Sequence, residues 1–384
     1  MKANFDVIVI GLGGIGSATV YQLARRGKRV LGLERHTPAH DQGSSHGQSR
    51  VIRQAYLEHP DYVPLLLRAY ELWEQIEQDT AQELMTLTGG LMLGLPNSPT
   101  VAGSIRSAQE HGLPYEILDA AEIRQRFPPL QPSAGMIALY EKKAGFVRPE
   151  ASVSAHLQRA AQLGATLRFE EPVLRWEAKG DRVQVTTYQG TYAAERVVIS
   201  PGAWAPELLG LDLPLTVERQ VMYWFEPIGG KDPFLPDRFP IYIWEAEDGE
   251  QFYGFPAQGT QEGVKVAFFY RGVPCNPETV DRHVSETDIQ YMRSCMAKHI
   301  PALNSRCLNA ITCLYTNAPD HHFIIGFHPD HPQVVLASPC SGHGYKFASV
   351  MGEILADLAI NGKTNHSLSL FDPMRFSKAI QVAI

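Results

Sequence analysis

Long apolar runs are missing from this chain of 384 residues. No stretch approaches the ~18 consecutive apolar residues of a membrane span, so a soluble protein without a membrane partner is expected. An excess of basic charge is missing too. The formal net charge is −7 at pH 7, whereas gripping a phosphate backbone takes clustered Lys and Arg, so nucleic acid is not an expected partner. Cysteine is scarce. Cys275, Cys295, Cys307, Cys313 and Cys340 show no Cys-x-x-Cys spacing and no His at metal-ligand intervals, which argues against a zinc site and against a disulfide framework. Taken alone, each reads as a buried, inert thiol. A cleavable leader is also not evident, because the apolar run 5–10 passes straight into glycines, and the ending Val382-Ala383-Ile384 is not a peroxisomal Ser-Lys-Leu signal. A cytoplasmic address is expected.

What is present is a chain too long for one core, since single cores stop growing near ~250–300 residues, so two domains are expected. Residues 5–34 read as strand, glycine turn, helix and strand. The run 5–10 is apolar, 15–26 has helical spacing with Gly27 behind it, and 29–34 is the second parallel strand; this is a βαβ opening. A helix over 62–79 and a second over 149–163 each carry Pro near the start. Short β-branched and aromatic runs at 91–95, 137–141, 241–244, 252–255 and 265–270 predict a separate sheet layer. The strands at 193–200 and 334–338 return to the first layer. The expected division is 1–88, 145–214 and 312–384 for the dinucleotide domain, and 89–144 and 215–311 for a sheet domain.

Gly11, Gly13 and Gly16 form Gly-x-Gly-x-x-Gly between a strand and a helix, so backbone N–H groups and the positive helix end face a pyrophosphate. Glu34 closes the second strand, where a carboxylate accepts hydrogen bonds from ribose hydroxyls. Strand, turn, helix and acid together point to a dinucleotide. They do not choose between FAD and NAD, which share the ADP half. A second glycine-rich junction, Ser341-Gly342-His343-Gly344-Tyr345-Lys346, aims another helix start at a ligand.

Four segments carry a wider likeness: Gly43-Ser44-Ser45-His46-Gly47-Gln48-Ser49-Arg50-Val51-Ile52-Arg53, Tyr253-Gly254-Phe255-Pro256 with Lys265 after it, Cys313-Leu314-Tyr315-Thr316, and the 341–347 junction. In this order they resemble the monomeric sarcosine oxidase family, which includes N-methyltryptophan and pipecolate oxidases. The resemblance runs from residue 5 to about 371. It implies an α/β plus α+β chain: a Rossmann-type FAD-binding domain and a second mixed β-sheet substrate domain, both discontinuous in sequence. It further implies a monomer that oxidises secondary or N-methyl amino acids and passes the electrons to O2, giving hydrogen peroxide.

The resemblance also assigns residues. Cys313 matches the thioether link to the flavin. Arg53 and Lys346 match the ligands of the substrate carboxylate, a bidentate fork and a point charge. Lys265 matches the lysine whose charge assists oxygen reduction; in an alternating strand it would otherwise be an ordinary edge lysine. His46, Arg50, Tyr253, Tyr315 and His343 match positions around the flavin or the amine, with Ser44, Val173, Gly342 and Gly344 as further cofactor contacts. Three features depart from the family pattern: Phe269 replaces a pocket histidine, Ser45 replaces the first of a His-His pair, and Pro339-Cys340 stands where Gly-Phe is common. They predict a larger, more apolar pocket. Other amines, including cyclic imino acids, glycine and glycated amino acids, stay open as substrates, as do a nicotinamide-dependent dehydrogenase and a silent flavin-binding protein.

Overall fold

The computed structural model describes residues 5–258 and 263–376. Five parallel strands form the spine of the first sheet, in the spatial order Thr166–Arg168, Val30–Leu33, Phe5–Ile10, Thr191–Ile199 and His331–Ser338. The inner strands read as unbroken apolar runs because both faces of such a sheet are covered. Val7 to Ile10 and all of Val30–Leu33 are buried. The hairpin Val173–Lys179 and Arg182–Thr187 extends this sheet antiparallel, and Ile324–His328 closes its other side against His331–Ser338.

Helices Gly14–Arg25, Pro149–Gln162 and Ala348–Asn361 pack together beside this sheet. Their ends follow the expected punctuation: Pro149 opens one helix, and Gly362, at φ +69°, closes another. Helix Val63–Thr80 begins one residue later than its spacing predicts, because Pro60–Tyr62 form a tighter 3-10 turn ahead of it.

The second sheet is mixed and pivots on Thr216–Phe225. One side of that strand pairs with Val264–Phe269 and the short Val273–Pro274; the other pairs with Cys307–Asn317. Beyond Val264–Phe269 the order runs Gln251–Gly254, Ile241–Glu245, Gly90–Gly94, Ile137–Glu141 and Glu116–Asp119. Only the pairing of Ile241–Glu245 with Gly90–Gly94 is parallel. Helix Glu286–His299 buries Met292, Cys295 and Met296 against the sheet's aromatic core. A small three-stranded sheet of Arg50–Ile52, Gly145–Val147 and Met85–Leu87 stands apart from both.

Two placements matter for the site. Val264–Phe269 has a partner on each side, so Lys265 is an interior residue, 2% exposed, rather than an edge lysine. Strand Cys307–Asn317 belongs to the second sheet along its whole length, across the expected divide at 312, so Cys313 and Tyr315 project from that sheet.

Candidate active site

One elongated cavity joins the two glycine-rich junctions. Its empty volume, counted out to open solvent, is about 1650 Å³. Gly11, Gly13, Glu34, Ser44, Arg50, Arg53, Val173, Tyr253, Tyr315, Gly342, His343, Gly344 and Lys346 all line it. Gly16, His46, Lys265 and Cys313 do not; Gly16 sits in the first turn of the opening helix, and the other three are buried in the layer behind.

At the first junction the glycines have different causes. A Cβ on Gly16 would stand 1.7 Å from the Gly11 carbonyl oxygen, so helix and strand can cross there only without a side chain. A Cβ on Gly13 would meet nothing closer than Ser45 Oγ at 3.4 Å. Protein packing therefore leaves Gly13 free, and its bareness serves the cavity. Glu34, 5% exposed, accepts from the Leu12 N–H at 2.8 Å on one oxygen and from the His36 N–H at 3.0 Å on the other. His40 and these backbone donors outweigh burial and hold its pKa below the usual carboxylate value. Oε1 also faces His40 Nε2 at 3.5 Å, while Oε2 keeps a further lone pair for a hydroxyl donor. Ser338, whose Oγ is buried without a partner, lines the same cavity. A bare glycine turn, an ionised acid at the strand end and an unpartnered hydroxyl fit the ADP half of a dinucleotide.

The carboxylate-binding candidates meet at the other end. Arg53 is 1% exposed and stacks on the Tyr56 ring with its guanidinium carbon 4.2 Å from the centroid. Its Nη1 donates to the Ala55 carbonyl at 2.7 Å, its Nη2 to Glu58 Oε2 at 2.8 Å, and its Nε has no partner. Lys346 Nζ donates to the His343 carbonyl at 2.6 Å and to Tyr56 Oη at 3.4 Å. Burial and the nearby Arg53 charge bring its pKa down to about 7.

His343 Nε2 lies 2.8 Å from the His321 carbonyl, an acceptor only, so Nε2 carries the proton and Nδ1 accepts from Tyr56 Oη at 2.6 Å. Burial lowers its pKa to about 4, which leaves the ring neutral. His46 is arranged likewise: Nε2 donates to the Thr312 carbonyl at 2.8 Å, Nδ1 is unpartnered, and burial with the Arg50 charge lowers its pKa to about 4. Neither histidine is poised to take a proton at neutral pH.

Between these ends stand Tyr253, Phe269 and Tyr315. The two hydroxyls are 3.5 Å apart, and Phe269 meets Tyr253 edge-on at 6.2 Å. Burial raises both phenol pKa values, so both stay protonated. Arg50 reaches across this wall. Its Nη1 donates to the Ser49 carbonyl, its Nη2 donates to the Ser44 carbonyl, both at 2.9 Å, and Nη2 is 3.4 Å from Cys313 Sγ. Lys265 Nζ spends its donors on Gly47 O, Ser49 O and Ser49 Oγ at 2.6, 2.8 and 3.3 Å. Burial and Arg50 push its pKa well below the ordinary lysine value.

Three structural partners escaped the sequence reading. Tyr56 and Glu58 flank the carboxylate site; no local pattern marks them, because the backbone turn after Arg53 brings them back onto it. Glu141, from the second sheet, accepts from the Gln54 and Ala55 N–H groups at 2.8 and 2.9 Å and so anchors that turn. Its pairing with residues 86–87 positions away in sequence leaves no local trace.

Known proteins resemble this chain over nearly its whole length. The family model described as FAD dependent oxidoreductase matches residues 6–358. A monomeric sarcosine oxidase of Streptomyces avermitilis is 56% identical over 382 residues, 99% of this chain and 100% of that protein. An N-methyl-L-tryptophan oxidase of Citrobacter koseri is 35% identical over 98% of this chain and 100% of its own length. Among solved structures, NikD, an amino acid oxidase of nikkomycin biosynthesis, superposes with a TM-score of 0.85 at 26% identity, covering 97% of this chain and 98% of NikD.

Proposed function

Because this chain belongs to the FAD-dependent oxidoreductase family, we propose that it oxidises secondary or N-methyl amino acids at the cavity end framed by Arg53, Lys346, Tyr253, Phe269 and Tyr315. The observation that carries this reading is the shared cavity: the dinucleotide cradle at Gly13 and Glu34 opens into the same space as the two buried cations. A carboxylate entering there meets Lys346 and the unpartnered Nε of Arg53.

FAD, when bound, supplies the two-electron acceptor and the route from there to oxygen. The protein's part is selection and placement. Arg50, Arg53 and Lys346 make the site cationic, which disfavours an ammonium and favours the neutral amine whose lone pair the reaction needs. Tyr253 and Tyr315, as neutral phenols, face that amine without charging it. The amine loses two electrons and two protons to become an imine. Water then adds to it, which for an N-methyl substrate releases formaldehyde and the primary amino acid, while O2 takes up two electrons and two protons to become H2O2. Lys265 supports the oxygen step as a buried cation, its Nζ facing three oxygen acceptors and Glu150 opposing the effect of burial on its charge. Cys313 is the proposed covalent anchor of the flavin, and Arg50, whose Nη2 is 3.4 Å from the Cys313 Sγ, would lie near the flavin ring.

The substrate is sought on the apolar side of this class, because Phe269 and Ile243 line the pocket beside the two tyrosines. A peroxide-release screen over sarcosine, larger N-methyl amino acids, pipecolate, proline, glycine and fructosyl amino acids tests the reading. Turnover of at least one N-methyl or cyclic amino acid is expected. Peroxide from glycine or fructosyl amino acids alone, or reduction of NAD in place of oxygen, overturns it.

A further inference from the structure

Behind the cavity, the loop that carries Arg50 is gripped from two sides by opposite charges. Gly47 and Gln48 stand at φ +91° and +72°, two successive left-handed residues, the second of them not glycine. Such a backbone persists only where its surroundings enforce it. On one side Glu150 Oε1 accepts from the Gly47 N–H at 2.6 Å and the Gln48 N–H at 3.1 Å, and Oε2 accepts from Gln48 N–H at 3.1 Å. On the other side Lys265 Nζ donates to the carbonyls of Gly47 and Ser49. The Ser49 carbonyl accepts from Arg50 Nη1 as well.

Gly47 therefore has its N–H on a carboxylate and its C=O on an ammonium. Its two peptide groups couple Glu150 to Lys265. Glu150 lies in the first turn of helix Pro149–Gln162, whose positive end favours a negative charge there. Among the described residues it is the only carboxylate hydrogen-bonded to the 46–50 segment. The carboxylate-binding end of the cavity has separate anchors: Glu58 and the Ala55 carbonyl for Arg53, the His343 carbonyl for Lys346, and Glu141 for the 54–55 backbone.

We propose that Glu150 is a positioning residue for the oxygen step: it holds the Gly47–Ser49 loop over Lys265 and serves as the shared counter-charge of Lys265 and Arg50. The inference rests on the role given to Lys265 under the proposed function. It separates the two half-reactions, because among the described residues Arg53 and Lys346 give their hydrogen bonds to Ala55, Glu58, Tyr56 and His343 and not to this loop.

The test uses FAD-loaded wild type, Glu150→Gln and Glu150→Asp. Each is reduced with dithionite and mixed with O2, which reads the oxygen step without any amine substrate. Hydrogen–deuterium exchange of residues 43–50 is followed in parallel. For Glu150→Gln we expect reoxidation slowed about tenfold, less than the ~10²-fold cost of losing a group that acts directly, with amine KM and anaerobic reduction changed less than about twofold. Exchange should quicken in 43–50 and stay unchanged in 53–56. Glu150→Asp keeps the charge and should recover most of the wild-type oxygen rate. Unchanged reoxidation in Glu150→Gln, or faster exchange confined to helix Pro149–Gln162, overturns the proposal. A wild type that reoxidises with this dependence but turns over none of the screened amines would overturn the substrate reading instead.

Discussion

The guanidinium of Arg53 already holds a carboxylate: its Nη2 lies 2.8 Å from Glu58 Oε2, with the two side chains 1% and 7% exposed. Arg53 and Lys346 hold the pKa of Glu58 down at about 2 despite its burial. The site therefore contains two cations and one internal anion before any substrate arrives. That ledger shapes what mutations there do.

Arg53→Met should raise KM for the amino acid roughly 10- to 150-fold, the worth of a charge-assisted hydrogen bond of about 1.5–3 kcal/mol. It should also destabilise the fold by about 3–5 kcal/mol, because Glu58 is left buried without its partner. Thermal denaturation and steady-state kinetics read the two effects separately. The double variant Arg53→Met with Glu58→Gln should recover most of the stability and none of the KM. An unchanged KM in Arg53→Met would remove Arg53 from the substrate site.

Lys346 gives the site a pH dependence. Its pKa is near 7 in the folded chain, against the ordinary lysine value of 10.5. Between those values the unfolded chain binds a proton that the folded one lacks, so this residue makes stability rise with pH across that window. Carboxylate affinity moves the other way, since Lys346 loses its charge above pH 7. The inhibition constant of an amine-free carboxylate such as acetate should weaken by up to roughly tenfold per pH unit above that point. Lys346→Met should flatten the profile; a profile that survives the substitution assigns the ionisation elsewhere.

Cys313 and Cys340 offer a paired test of attachment. Cys313 Sγ lies 3.4 Å from Arg50 Nη2, while Cys340 lines the cavity with its sulfur accepting from the Thr316 N–H. Acid-precipitated wild type and Cys340→Ala are expected to keep their yellow colour, and Cys313→Ala to lose it to the supernatant. Colour that stays with denatured Cys313→Ala protein would exclude Cys313.

The two glycines of the opening turn should fail differently. Gly16→Ala drives a methyl into the Gly11 carbonyl and should lower the folded yield and Tm. Gly13→Ala meets only Ser45 Oγ at 3.4 Å. It should fold with an unchanged apo Tm and bind added FAD more weakly, as titration by flavin fluorescence quenching would show. A Gly13→Ala protein with unaltered FAD affinity would place the pyrophosphate away from this turn.

Much of this was legible in local order. The βαβ opening, the glycine turn and Glu34 follow from spacing along some thirty residues, because a strand, a tight turn and a helix start are each specified by their immediate neighbours. Helix ends at Pro149 and Gly362 are equally local. The mixed second sheet was visible as short aromatic runs, but its pairing was not: Thr216–Phe225 lies between Val264–Phe269 and Cys307–Asn317, which both follow it by long intervals.

Local order along the chain specifies the dinucleotide turn, and the family likeness groups the cations and tyrosines into one site. How they are held depends on long-range contacts. The tertiary structure put Lys265 inside a sheet rather than at an edge, paired Arg53 with Glu58, fastened the 54–55 turn to Glu141, and stretched the Gly47 peptides between Glu150 and Lys265. The reason is physical. Burial is what makes these charges need partners, and both burial and partner are set by contacts between segments far apart in the chain.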